Sequence, residues 1–208
     1  MNDFPLWKRP VFYYVALVGL GMMLTRFFNF VLLEWLTIYV IPLVWLALLG
    51  LGLIGLVWAI IFWARSPRSG QSPGWQRSIP LLLLLGMFGL AIAIPFENLW
   101  LTFNFHRYRE ARQQVVDLMA TQQIASNPGI MELPESYRAT TLGDGEVEVF
   151  YANDSRYVLF FTLRLFEGAA GFIYSENGTP LPAEIVSGYE ILEQYEMGDR
   201  WYFVRLGG

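Results

Sequence analysis

Two ionisable residues, Arg26 and Glu97, lie inside otherwise apolar stretches and are the first candidates for chemistry. A charged side chain is costly in hydrocarbon, so such residues usually mark a functional site or pair with one another. At about 1.5 Å per helical residue, Arg26 lies roughly 22 Å and Glu97 roughly 27 Å from the predicted cytoplasmic ends of their helices. We therefore predict an intramembrane ion pair that orients the first and third helices. The alternative is a polar pocket for a headgroup, a proton or a cation.

A second group of candidates follows the third apolar stretch and consists of His106, Arg107, Arg109 and Arg112. Basic side chains at the end of a membrane span typically extend to the lipid headgroups. We expect these four residues to anchor the chain at the membrane surface. A role for His106 as a general base would need an orienting carboxylate and a nucleophile nearby, and the sequence places neither.

Small residues recur four apart in two apolar stretches, as Gly55 with Ala59 and as Gly89 with Ala93. Such pairs lie on one helix face and let helix backbones approach closely, so they predict helix packing. Residues 50–55 also match the spacing GxGxxG of dinucleotide-binding loops. That motif needs a strand before it and exposed N–H groups, which an uncharged apolar stretch does not supply, so we predict no nucleotide cofactor.

Several kinds of site are disfavoured by the composition. The 208 residues include no cysteine and one histidine, which excludes disulfides, thiolate ligands and a multi-histidine zinc site within one chain. Residues 103–208 carry eight basic and fifteen acidic side chains, and this acidic balance argues against binding nucleic acid through its phosphates. We predict no catalytic residue, no metal and no cofactor.

Three stretches are long and apolar enough to position these residues in a bilayer, which takes about 20 residues per helix. They are predicted at 11–33, 41–64 and 79–101. The first is the weakest because its uncharged part, 11–25, spans 15 residues. The alternative for it is a short crossing followed by an interfacial helix at 27–35.

Positive charges predict the orientation of the three helices. Lys8 and Arg9 precede the first stretch, and Arg65, Arg68 and Arg77 lie between the second and the third. Basic loops stay in the cytoplasm, so three crossings place the amino terminus inside and the second half outside. Basic residues after the third stretch oppose this placement, but large domains cross with little regard for flanking charge. A bacterial plasma or internal membrane fits this topology.

The second half of the chain predicts a helix and then a sheet. Residues 103–126 lack proline and glycine and predict a juxtamembrane helix. Alternating apolar residues between turn residues predict about six antiparallel strands in 127–208. These lie at 137–142, 146–151, 157–166, 172–175, 189–195 and 201–206. The predicted fold class is a membrane protein with three transmembrane α-helices in residues 1–102, followed by a small α+β domain with an antiparallel sheet.

These features favour a non-catalytic membrane protein, an accessory or assembly subunit whose outer α+β domain binds another membrane protein or complex. The lipid bilayer is its second expected partner. The alternatives are a membrane-anchored sensor or ligand-binding module and, less favoured, a membrane enzyme that uses carboxylates and His106.

Overall fold

The computed structural model describes residues 10–65, 75–124, 127–142, 145–165, 168–182 and 190–207, without the side chains of residues 30, 33–39, 75–77 and 165. The chain divides into two compact units, Met1–Trp100 and Leu101–Gly208. We call them the helical unit and the α+β unit. Domain bounds at 102 and 126 stay a prediction.

The described helices are α1 (Pro10–Phe27), α2 (Asn29–Arg65), α3 (Trp75–Ala93) and α4 (Phe96–Ala120). Two segments, Pro10–Phe27 and Val40–Arg65, are long and apolar enough to cross a membrane. The α3–α4 pair qualifies as a third crossing if its two bent parts form one span. Apolar helices followed by an antiparallel sheet are therefore confirmed, with two to three helices able to span a bilayer.

Helix bounds differ from the prediction at two places. The first apolar stretch does not form one helix over 11–33, because α1 ends at Phe27 and residues 29–33 already belong to α2. The third stretch is not continuous over 79–101, since α3 and α4 are bent by 61° at Ile94 and Pro95. Proline lacks an N–H and disfavours helical backbone in the preceding residue, which ends α3 there.

Inside the helical unit, α1 packs against both α2 and α3. Val11, Val15 and Leu84 are buried together. The Tyr14 hydroxyl donates a hydrogen bond to the Leu51 carbonyl oxygen at 2.9 Å. This hydrogen bond joins the Tyr14 side chain of α1 to the backbone of α2, so it fixes the two helices in register.

The α+β unit contains a six-stranded antiparallel sheet with strand order β1-β2-β3-β4-β6-β5. The strands are β1 (Gly129–Glu132), β2 (Glu146–Ala152), β3 (Ser155–Leu165), β4 (Gly168–Ser175), β5 (Glu190–Gly198) and β6 (Trp201–Gly207).

Three predicted elements of this unit are wrong in detail. The strand predicted at 137–142 is largely a 3₁₀-helix, Glu135–Thr140, and the first strand is instead Gly129–Glu132. The strand predicted at 172–175 begins four residues earlier, at Gly168. Residues 103–120 form the later part of α4, which ends at Ala120 and does not reach residue 126.

Both faces of the sheet are covered. On one face, α4 places the Phe105 ring 5.2 Å from Phe172 and 5.9 Å from Trp201, measured between ring centroids. On the other face, a cluster of buried residues includes Tyr157, Ile173 and Val204. Alternation along the strands explains this arrangement, because successive side chains point to opposite faces.

Candidate functional site

A polar cavity of about 320 Å³ lies in the helical unit, where α1 meets α2 and where α3 breaks before α4. Its walls are formed by Arg26, Asn29 and residues 92–98. Polar side chains converge here in a unit whose other helical surfaces are mostly apolar. We call this space the Arg26 cavity.

The helix break explains the position of Arg26. In a continuous helix the Ala91 carbonyl would accept a hydrogen bond from the N–H of residue 95, but Pro95 has no N–H. The Nε atom of Arg26 donates to the Ala91 carbonyl oxygen instead, at 3.3 Å. Its guanidinium carbon also lies 5.7 Å from the centroid of the Trp45 ring, within the range of a cation–π contact. The arginine is therefore held at the wall of the cavity.

Glu97 belongs to the same wall, in the first turn of α4. An acidic side chain at this position is favoured by the partial positive charge of a helix amino terminus. The sequence-predicted residues Arg26 and Glu97 thus line one cavity, and their ion pairing stays a prediction. Asn29 and Asn98 add amide groups that both donate and accept hydrogen bonds.

Arg112, which the sequence predicted as one of the membrane-surface anchors, is 1% exposed in the core of the α+β unit. Its Nε donates to the Thr140 carbonyl oxygen at 2.8 Å, and its Nη2 donates to Asn104 Oδ1 at 2.6 Å. Its guanidinium carbon lies 4.6 Å from the centroid of the Phe172 ring. Burial lowers the pKa of the Arg112 guanidinium to about 9, so it stays charged at neutral pH.

The sequence contains a signal for this burial. Arg112 falls three and four residues before Val115 and Val116 and seven before Met119, all of which are buried. This spacing is that of one helix face. An arginine on the apolar stripe of α4 belongs to the core, whereas the run of neighbouring basic residues makes it resemble an anchor.

The other predicted anchors differ from Arg112. His106 and Arg107 are exposed on α4. Arg109 forms an ion pair with Asp199, in the turn between β5 and β6. Anchoring at a membrane surface stays a prediction for His106 and Arg107, and Arg109 has a partner in its own unit.

The small-residue pairs on α2 and α3 have different surroundings. Ala59 is 1% exposed, and a Cβ added to Gly55 would lie 3.0 Å from the Tyr14 ring. A Cβ added to Gly89 would meet nothing within 4 Å, and Ala93 is exposed. The α2 pair is thus part of a helix contact, while the α3 pair faces open space in the described part of the helical unit.

Strand β5 forms one edge of the sheet, and among the described residues it pairs with β6 alone. The side chain of Leu192 is 56% exposed and that of Tyr195 is 39% exposed. Glu190, Glu193 and Glu196 are exposed between and beside them. Exposed apolar groups on an edge strand are a feature of surfaces that accept a further strand.

Comparisons with protein-family models, with curated proteins and with solved structures gave no match to this chain. A functional inference therefore depends on two surfaces of the molecule, the Arg26 cavity and the edge at β5.

Proposed function

We propose that this protein is a non-catalytic integral membrane protein, an accessory or assembly subunit whose α+β unit binds a partner protein. The observation that carries the proposal is the edge at β5, which among the described residues pairs with β6 alone and presents exposed apolar and acidic side chains. Placement of the helical unit in lipid rests on separate observations.

The surface of α2 supports the placement in lipid. Leu43, Leu46 and Leu53 are 60% exposed or more, and several other large apolar side chains along Val40–Arg65 are 37% to 59% exposed. Soluble proteins rarely expose a continuous apolar patch of this length, because each Å² in water costs roughly 25 cal/mol. A bilayer removes that cost, since its hydrocarbon core is as apolar as these side chains.

The edge at β5 fits an extended segment of a partner protein with basic side chains. Adding a strand satisfies backbone N–H and C=O groups along the edge, and the alternate side chains provide specificity. Glu190 and Glu196 would then lie near the partner's basic groups, whereas Glu193 already forms an ion pair with Arg205 of β6, with 3.5 Å between Glu193 Oε2 and Arg205 Nε. A second copy of this chain fits less well, because β5 against β5 would place glutamates opposite glutamates.

The charges of the chain support one orientation. Arg65, Arg68 and Arg77 favour a cytoplasmic loop between α2 and α3. If the α3–α4 pair is one bent span, the amino terminus is cytoplasmic and the partner meets the α+β unit outside. This is the topology we propose, in a bacterial plasma or internal membrane.

The experiment is site-specific photo-crosslinking of the full chain in its native host. A photoreactive amino acid at Leu192 should give one adduct with a second polypeptide, while the same group at Ile130 should give none. Ile130 is a matched control because it is 48% exposed on β1, at the opposite edge of the sheet.

A charged substitution on the same edge provides the second readout. Leu192→Lys should abolish stoichiometric co-purification of that polypeptide in mild detergent, and Ile130→Lys should leave it unchanged. Equal behaviour of the two variants would refute a binding surface at β5. An adduct of twice the 23.9 kDa chain mass would identify a second copy as the occupant instead.

Release of the protein from membranes by alkaline carbonate would refute the membrane placement.

A ligand-binding module is the second candidate function, and the Arg26 cavity is the observation that favours it. The cavity is polar, is large enough for a small ligand and lies in the unit that we place in lipid.

A further inference from the structure

We propose that the Arg26 cavity binds the headgroup of a zwitterionic phospholipid with a primary ammonium, such as phosphatidylethanolamine. The proposal deepens the proposed function, because it rests on the placement of the helical unit in lipid. It assigns Arg26 to the phosphate and Glu97 to the ammonium.

The size of the cavity is suited to a headgroup. Sites for small ligands begin at about 300 Å³, and the cavity measures about 320 Å³. A phosphate and a two-carbon amine fit that volume, whereas the acyl chains would remain in the surrounding hydrocarbon. A sugar headgroup of several rings would exceed it.

Arg26 supplies the cation for the phosphate. A guanidinium carries five N–H donors in a planar fork that matches two phosphate oxygens. The hydrogen bond to the Ala91 carbonyl oxygen uses the Nε–H group of Arg26. Arg26 is also exposed in the helical unit, so its Nη groups can reach a ligand from the lipid side.

Glu97 and the two amides select the second half of the headgroup. The cavity is lined by one cationic and one anionic side chain, Arg26 and Glu97, so the two charges cancel. An anionic lipid has no cationic group of its own, so it would add a net negative charge beside the Glu97 carboxylate. A primary ammonium can donate hydrogen bonds to the Glu97 carboxylate, and to the Asn29 or Asn98 amide oxygen, whereas a trimethylammonium cannot.

Pro95 links this binding site to the shape of the helices. With another residue at this position, the Ala91 carbonyl oxygen would accept its usual intrahelical bond, and Arg26 would have to share that acceptor. The bend between α3 and α4 also places residues 92–98 around the cavity instead of along a straight helix. The same residue therefore opens the cavity and positions its cation.

The test is native mass spectrometry of the full chain, purified in mild detergent and incubated with equal amounts of phosphatidylethanolamine, phosphatidylcholine and phosphatidylglycerol. We expect phosphatidylethanolamine to be retained about tenfold over the other two lipids, the effect of one strong charge-assisted hydrogen bond. Arg26→Gln should lose this retention, and Arg26→Lys should keep part of it. Arg65→Gln is the matched control, because Arg65 ends α2 and does not line the cavity.

Glu97→Gln separates the two halves of the assignment. It should still bind lipid phosphate but should no longer prefer phosphatidylethanolamine over phosphatidylglycerol. Free phosphoethanolamine has the same headgroup chemistry, so a site for the soluble compound would show as its displacement of bound lipid at equal concentration. That result would overturn the lipid assignment.

Equal retention of the three lipids by the unaltered chain would overturn the proposal, as would retention by Arg26→Gln equal to that by Arg65→Gln. Far-ultraviolet circular dichroism of each variant confirms that its helices are formed. Carbonate extraction reports independently on the membrane placement. A chain that stays in membranes but shows no headgroup preference contradicts this inference alone, and a chain released from them contradicts the proposed function as well.

Discussion

Arg112 is a charged side chain enclosed among aromatic rings, and two opposing effects act on it. Removal from water disfavours the charge, which is why the pKa of the guanidinium falls to about 9. Hydrogen bonds to Thr140 and Asn104 and the contact with the Phe172 ring stabilise it. A hydrogen bond to a charged group contributes about 1.5–3 kcal/mol. The two hydrogen bonds together must therefore offset the free-energy cost of removing the guanidinium from water.

We predict that Arg112→Met destabilises the α+β unit by about 2 kcal/mol. Methionine has an unbranched apolar side chain like the stem of arginine, but the Thr140 carbonyl and the Asn104 side chain lose their donor in a low-dielectric core. The measurement is the midpoint of thermal unfolding of the full chain in detergent, followed by circular dichroism, with an expected fall of several degrees.

Arg107→Met is the control for Arg112→Met, because Arg107 is an exposed arginine on the same helix. It should leave the midpoint within about a degree of the unaltered chain, as most surface substitutions do. If Arg112→Met were as stable as Arg107→Met, the free-energy cost of desolvating the guanidinium would equal the stabilisation from its hydrogen bonds, as it does in some buried ion pairs. The predicted loss of stability would then be wrong.

The sequence predicts the positions of single residues better than their surroundings. The juxtaposition of Arg26 and Glu97 follows from their depth in the two apolar stretches, and the structure places both at one cavity. The cavity itself could not be predicted, because it requires the bend at Pro95. The charges of its neighbours suggest a surface position for Arg112, whereas its helical spacing to Val116 and Met119 decides its burial.

At the scale of elements, the lengths of the apolar stretches and the turn residues predict which helices and strands form. The local backbone geometry decides at which residue each of them ends. Strands β2, β3 and β6 lie within two residues of their predicted bounds, because alternation and turn residues mark both of their ends. Residues 137–142 have the composition of a strand, but Pro134 and local hydrogen bonds such as Tyr137 N–H to the Pro134 carbonyl favour a 3₁₀-helix. Four residues, Gly129–Glu132, are too few to show a period.

The packing of α2 provides a prediction with a matched pair of glycines. Gly55→Leu should disrupt the contact of α2 with α1, because even a Cβ there would lie 3.0 Å from the Tyr14 ring. We expect a loss of about 2 kcal/mol or more, the usual cost of overpacking, seen as a lower midpoint of thermal unfolding in detergent. Gly89→Leu should have little effect, since a Cβ at Gly89 meets nothing within 4 Å.

Two outcomes would contradict that packing argument. A fall in the midpoint for Gly89→Leu equal to that for Gly55→Leu would mean that α3 also packs through its small-residue face. An unchanged midpoint for Gly55→Leu would mean that the Tyr14 ring moves aside, and the hydrogen bond from Tyr14 to Leu51 would then be dispensable.

At the scale of the whole molecule, the number of crossings decides on which side the α+β unit lies. Two apolar helices are each long enough to span by themselves, and the bent α3–α4 pair adds a crossing only if it passes through the bilayer instead of turning back. An odd number places the α+β unit opposite to the amino terminus, and an even number places both on the same side. The basic residues between α2 and α3 favour a cytoplasmic position for that loop through the positive-inside rule, so a crossing by the α3–α4 pair would carry the α+β unit to the outside.

Single-cysteine labelling tests this topology directly, because the chain has no cysteine of its own to remove. Ser136→Cys places a thiol at an exposed position of the α+β unit, and Ser69→Cys places one between α2 and α3. With three crossings, a membrane-impermeant maleimide added to intact cells should label the thiol at 136 and reach the thiol at 69 only after permeabilisation. Labelling of 69 alone in intact cells would invert the proposed orientation. Labelling of both would mean that the α3–α4 pair turns back within the membrane, so that the partner of β5 and the loop between α2 and α3 would share one compartment.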